Sequence, residues 1–131
     1  GKELQAIEDN DQITEVPYDP ARKVHTAWDL GVADATAIWF YQLVGKAIHV
    51  IDYYEERGEG LPHFARILDE RGYLYGRHYA PPDIQVREMG SGRSRIETAF
   101  DLGINFRVVR KLPVEDGLHA AAITIPRCYF G

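Results

Sequence analysis

The stretch His25-Thr26-Ala27-Trp28-Asp29-Leu30-Gly31, followed by Asp34-Ala35-Thr36-Ala37, decides how the rest of the chain is read. An apolar run ends on an aspartate, a glycine turns the chain, and a second run, Thr36–Val44, leaves at once in the opposite sense. A carboxylate at the exit of a buried strand is costly unless a cation or a proton meets it. Asp29 is therefore the first candidate site residue, read as a ligand of a divalent metal. The competing reading is that its side chain caps the turn.

Outward from this stretch, Val24–Leu30, Thr36–Val44 and Ala47–Tyr54 read as three strands, rich in β-branched and aromatic residues. Gly45-Lys46 is a two-residue turn, and the short gaps fit an antiparallel meander. Strict alternation in the third run puts Ile48, Val50 and Asp52 on one face and His49, Ile51 and Tyr53 on the other. Leu61–Arg71 reads as a helix. Pro62 suits its first turn, Leu61, Phe64, Ile67 and Leu68 share a face, and Gly72 stops it. Tyr75–Tyr79 is a short strand that runs into Ala80-Pro81-Pro82-Asp83, where the prolines end it. Ser94 caps a helix over Arg95–Leu102, with Glu97 at the capping-box position. Asn105–Val109 is a strand and Pro113–Ile125 a last helix.

Residues 1–22 are polar and acidic and carry Pro17-Tyr18-Asp19-Pro20. They read as a linker or the end of an interdomain connection, with a short helical piece around Leu4–Glu8. The domain then runs over 23–131. The start lacks an initiator Met and a signal pattern, and the end at Arg127–Gly131 is abrupt, so the chain reads as a piece of a longer protein.

The 131 residues suffice for one domain, with 45% hydrophobic and 27% charged residues. No window approaches the ~18 apolar residues of a membrane span, so no membrane role is expected. One cysteine, Cys128, excludes an internal disulfide. The net charge of -5 argues against nucleic-acid binding by bulk electrostatics. It leaves room for a metal site, because clustered carboxylates turn the local field favourable only with bound cations.

The order β-β-β-α-β-α-β-α makes an α/β mixed sheet with helices on its faces, three antiparallel strands preceding two joined by a helical crossover. If the first and fourth strands are neighbours, Asp29 and Asp83 meet at one edge of the sheet. Mg²⁺ and Mn²⁺ prefer such oxygen ligands, and two cations roughly 4 Å apart serve phosphodiester hydrolysis. Asp34 is a further candidate ligand or a turn residue, and Asp52 a weak candidate. His78 is read as structural, and His25, His49, His63 and His119 have no zinc-type spacing. Arg87, Arg93 and Arg95 surround a Gly-Ser-Gly turn, either a phosphate-holding loop or a solvated one. The glycines match neither the P-loop nor the dinucleotide fingerprint, so no nucleotide is expected here.

Trp28-Asp29-Leu30-Gly31 with Asp34-Ala35-Thr36-Ala37 resembles the first motif of the nuclease domain of tailed-phage and prophage terminase large subunits. Tyr79-Ala80-Pro81-Pro82-Asp83, with Arg87-Glu88 and Gly90 to Glu97, resembles its second acidic motif and downstream loop. Val114–Ala121 and Pro126–Phe130 resemble the helix after the fifth strand. The resemblance runs from about Val24 to the end. It implies a ribonuclease H-like, divalent-metal-dependent endodeoxyribonuclease that cuts concatemeric viral DNA during genome packaging in the cytoplasm of the bacterial host. Asp29 and Asp83 would be the first two acids of a catalytic triad holding Mg²⁺ or Mn²⁺ in a two-metal site. Arg87, Arg93 and Arg95 would touch DNA. The implied partners are double-stranded DNA, an ATPase motor domain of the same polypeptide, the portal and the small terminase subunit. The third acid lies in a later C-terminal segment in that family. The domain is therefore expected to be C-terminally incomplete, binding metal weakly and cutting poorly alone. The alternatives are a non-catalytic docking module of the packaging motor and half of a sugar-kinase or actin-like ATPase.

Overall fold

In a computed structural model, the structure describes residues 13–15, 17–31 and 34–112. The helix expected over Pro113–Ile125 and the piece around Leu4–Glu8 lie outside these residues. The strands are β1 (Ile13–Glu15), β2 (Val24–Leu30), β3 (Ala35–Val44), β4 (Ala47–Arg57), β5 (Tyr75–Ala80) and β6 (Phe106–Val108). The helices are α1 (Leu61–Arg71) and α2 (Arg95–Asp101), with a 3-10 turn at Pro82–Gln85.

The six strands form one sheet in the order β1-β4-β3-β2-β5-β6. β2, β3 and β4 are the expected antiparallel meander. β5 then returns parallel to β2, and β6 lies parallel to β5. A parallel return needs a crossover, and α1 lies on it. Apart from β1, the strands stand 3-2-1-4-5 in order of appearance, which is the ribonuclease H-like sheet. β1 comes from the stretch read as a connecting arm and pairs parallel with β4, Thr14 opposite His49.

Local sequence explains the helix limits. Pro62 sits in the first turn of α1, and Gly72 closes the helix at φ 70°, donating its N–H to the Leu68 carbonyl. That left-handed conformation is one a glycine adopts without strain. At α2 the capping box forms as expected: Ser94 Oγ accepts from the Glu97 N–H, and the Ser94 N–H donates to Glu97 Oε1 at 2.9 Å. The Ser94 N–H first, and then the Ser94 hydroxyl donating to the same oxygen at 3.2 Å, hold the Glu97 carboxyl below its ordinary range.

The core has two parts, one per sheet face. Trp28, Ile38 and Phe40 pack with Phe64 and Leu68 of α1, Ala99 of α2 and Phe106. The Trp28 ring meets Phe106 edge-on at 4.9 Å and Phe64 at 5.8 Å. On the opposite face Ala27, Trp39, Tyr41 and Val50 gather with Leu112. Losing a ring such as Trp28 would cost about 3–5 kcal/mol.

The alternation expected for the third strand fails at one point. Phe40 pairs with Asp52 but Tyr41 pairs with Val50, so Ile51 is an extra, bulged residue. Ile48, Val50 and Tyr53 therefore belong to the Leu112 face, while Ile51 and Tyr54 pack on the helix face. Asp52 joins the helix face too. It accepts hydrogen bonds from Arg71 Nη1 and, at 3.0 Å, from the Tyr73 hydroxyl. It is a structural carboxylate, and the weak ligand reading is dropped.

Candidate functional site

Asp29 is the penultimate residue of β2, opposite Ala37 on β3, and only 7% exposed. Side chains alternate along a strand, so Asp29 shares the face of Ala27, not that of Trp28. β5 runs alongside in the same direction, with Ala27 opposite Tyr79. The chain leaving β5 through Ala80-Pro81-Pro82 thus exits at the sheet end where Asp29 stands.

Asp83 lies in the turn just after that exit, and its side chain is exposed. Pro81 is extended at φ -76° and ψ 168°, and Pro82 opens the turn. The turn is closed by Ile84 N–H to the Pro81 carbonyl at 3.1 Å and Val86 N–H to the Asp83 carbonyl at 3.2 Å. Ile84 is fully buried and anchors it in the core. One acid is buried in a strand and the other held on a fixed turn, both at the carboxyl ends of adjacent parallel strands. Among the described residues no group of three or more His, Cys, Asp or Glu gathers to hold a metal.

Asp34 stands apart from this pair. It is exposed, has φ 59°, and takes the turn conformation that Asp and Asn tolerate best. It lines a cleft of about 530 Å³ on the helix face, together with Trp28 and Leu30. The turn reading therefore describes its backbone.

The three arginines differ from one another. Arg87 donates to the Gly92 carbonyl at 2.8 Å and to Glu97 Oε1 at 3.0 Å, and so ties down the Gly-Ser-Gly turn. Arg93 donates to Asp101 Oδ2 at 2.7 Å, both partners exposed. Arg95 lines the cleft and makes no ion pair among the described residues. Glu59 and Glu88 also line the cleft, and neither was visible to sequence reasoning, since nothing in their spacing distinguishes them from surface acids.

His78 is structural, as expected. Trp28 Nε1–H donates to Thr26 Oγ1 at 2.9 Å, and Thr26 lies 2.6 Å from His78 Nδ1. The Thr26 hydroxyl and His78 Nδ1 share one hydrogen bond, whose donor follows from the tautomer of the ring. Burial pushes His78 down to about 4, and the nearby His25 adds to the shift.

No protein-family model matches the sequence, and no curated protein matches it. Solved structures do. The large terminase nuclease domain of P22 aligns with 88% of this chain and 59% of its own, at 15% identity and a TM-score of 0.56. The large terminase of a thermophilic bacteriophage aligns with 94% of this chain and 31% of its own, at 14% identity and a TM-score of 0.57. The large terminase nuclease of the thermophilic phage G20c, solved with bound cobalt, aligns with 78% of this chain and 52% of its own, at 21% identity and a TM-score of 0.48. The chain thus spans about a third of the bacteriophage terminase and under two thirds of the P22 domain. No helix among the described residues is long and apolar enough to cross a membrane. The chain has the ribonuclease H-like fold of large terminase nuclease domains.

Proposed function

We propose that this chain is the nuclease portion of a terminase-like protein, a divalent-metal-dependent DNA endonuclease. One observation carries the reading: Asp29 and Asp83 occupy the carboxyl ends of the adjacent parallel strands β2 and β5. Their donor chemistry fits the cation. Mg²⁺ is commonly held by one or two carboxylates together with substrate phosphates. A pair of acids, without a third among the described residues, fits weak binding that tightens when DNA supplies oxygens.

In this reading Asp29 and Asp83 hold Mg²⁺ or Mn²⁺, which supplies positive charge for attack on a phosphodiester at neutral pH. Burial of Asp29 in the strand keeps its carboxylate fixed, and the two prolines fix the backbone that carries Asp83. Arg93, exposed beside an equally exposed Asp101, is the loop cation readiest to exchange its partner for a DNA phosphate. Arg87, tied to Glu97, and Arg95 line the helix-face cleft among carboxylates, and neither is assigned to DNA in this reading. Double-stranded viral DNA, processed in the host cytoplasm beside a packaging ATPase, portal and small terminase subunit, is the substrate and setting this implies.

Calorimetric titration with Mn²⁺ and a plasmid-nicking assay test the proposal. Metal-dependent heat is expected, weak without DNA. Asp29→Asn should reduce affinity and any nicking by on the order of 100-fold or more, since even outer-shell ligand changes cost 10–100-fold. Equal Mn²⁺ heat in the wild type and in Asp29→Asn would remove the metal site from the reading.

A further inference from the structure

We propose that the helix-face cleft is a docking site for a basic, amphipathic peptide segment of a protein partner. The cleft lies on the Trp28 face of the sheet, whereas Asp29 belongs to the Ala27 face. Its volume, about 530 Å³, is that of a site taking a few side chains.

Charge decides the chemistry of the occupant. Asp34, Glu59 and Glu88 line the cleft against Arg87 and Arg95. Arg87 is already bonded to Glu97, which leaves Arg95 as the one cation not offset by an ion pair among the described residues. Asp34 and Glu88 make no ion pair among the described residues, and Glu59 reaches only His63 at 3.7 Å. The field is therefore negative, and a phosphate backbone would be repelled. A lysine or arginine would be attracted.

The apolar part of the lining sets the second requirement. Leu30, Leu61 and Ile84 line the cleft, and Val86, 61% exposed, extends it towards the fully exposed Met89. A partner that presents apolar side chains on one face and basic ones beside them satisfies both halves. This holds whether or not the chain cuts DNA.

The test uses the full 131-residue chain and three fluorescein-labelled probes: an amphipathic Leu/Lys helical peptide, its Leu/Glu counterpart, and a short DNA duplex. Anisotropy should show binding of the Leu/Lys peptide and not of the Leu/Glu one. The double variant Asp34→Asn/Glu88→Gln should weaken it about tenfold, two exposed charge pairs being lost. Asn suits the positive φ of residue 34, so the backbone is preserved. Arg95→Glu should tighten the peptide several-fold. Glu55→Gln/Glu70→Gln, exposed and off the cleft, should change it less than about twofold.

Three outcomes overturn the proposal. One is no binding of the Leu/Lys peptide, or equal binding of both peptides. The second is equal weakening by the cleft and off-cleft variants, which would reduce the effect to net charge. The third is loss of duplex binding in Arg95→Glu with peptide binding unchanged, which would make the cleft a nucleic-acid site.

Discussion

The two ends of α1 face opposite tasks. At its last turn Arg71 is held on three sides: Asp52 takes its hydrogen bond, and its guanidinium lies over the Phe40 ring at 5.7 Å and the Tyr54 ring at 5.6 Å. Tyr73 donates to the same carboxylate and is pushed up to about 12, by burial first and by Asp52 second. The buried Gln42 side chain closes this end. It accepts from the Asp19 N–H at 3.0 Å and donates to the carbonyls of Asp19 and Arg22. At the first turn of α1, Gly60, Leu61 and Pro62 border the cleft instead, among charges that the described residues do not neutralise. The same helix thus ends once in a closed network of side-chain bonds and once beside a cleft whose Asp34, Glu88 and Arg95 are solvated and make no ion pair among the described residues. Bonded groups hold a fold together, and solvated charges at an open cleft are available to a partner.

Four measurements break or sharpen this contrast. The largest effect is expected at His78, in the buried network between the two ends. Its ring takes a proton near 6.5 when unfolded and only at about 4 in the fold. The unfolded state therefore binds the proton first as the pH falls. Stability is full above pH 6.5 and declines towards pH 4, by up to about 3 kcal/mol. Urea unfolding across this range should show the loss, and His78→Gln should flatten it.

Arg71→Ala comes next. It leaves Asp52 partly buried without its cation and uncovers two rings, so about 2 kcal/mol of stability should go; the partial exposure of the pair keeps the loss below that of a fully buried one. Ser94→Ala should cost about 1 kcal/mol by removing the cap of α2, read as a lowered urea midpoint at unchanged slope. Arg95→Ala is the smallest, within roughly 0.5 kcal/mol. If Arg95→Ala were as destabilising as Arg71→Ala, the open end would be a structural one and the contrast would disappear.

Much of the fold was legible because its signals are local. Pro62, Gly72 and the Ser94–Glu97 box each act within one helical turn, and each fixed an element limit. Connection rules called for parallel pairing of β5 and β6, whereas the parallel neighbourhood of β2 and β5 entered only as a condition; it is what brings Asp29 and the turn of Asp83 to one sheet end. Strand β1 was not legible, because three residues in a polar stretch carry no pattern to count. The partners of Asp52 and the carboxylates of the cleft were hidden for another reason. Arg71, Tyr73, Glu59 and Glu88 become neighbours only through tertiary packing, which residue spacing does not encode.

The extra residue at Ile51 has one more consequence. It acts as a phase shifter, so that β4 before and after it is written in opposite parity. Deleting Ile51 would bring the two halves into step with Asp52 following Val50 in plain alternation, still opposite Phe40 and on the side of Arg71. One missing codon at Ile51 would therefore remove the bulge and leave the downstream residues on their faces, whereas one missing after Asp52 would turn the residues beyond it to the opposite face. A deletion at Ile51 should accordingly be tolerated far better than a deletion between Asp52 and Arg57.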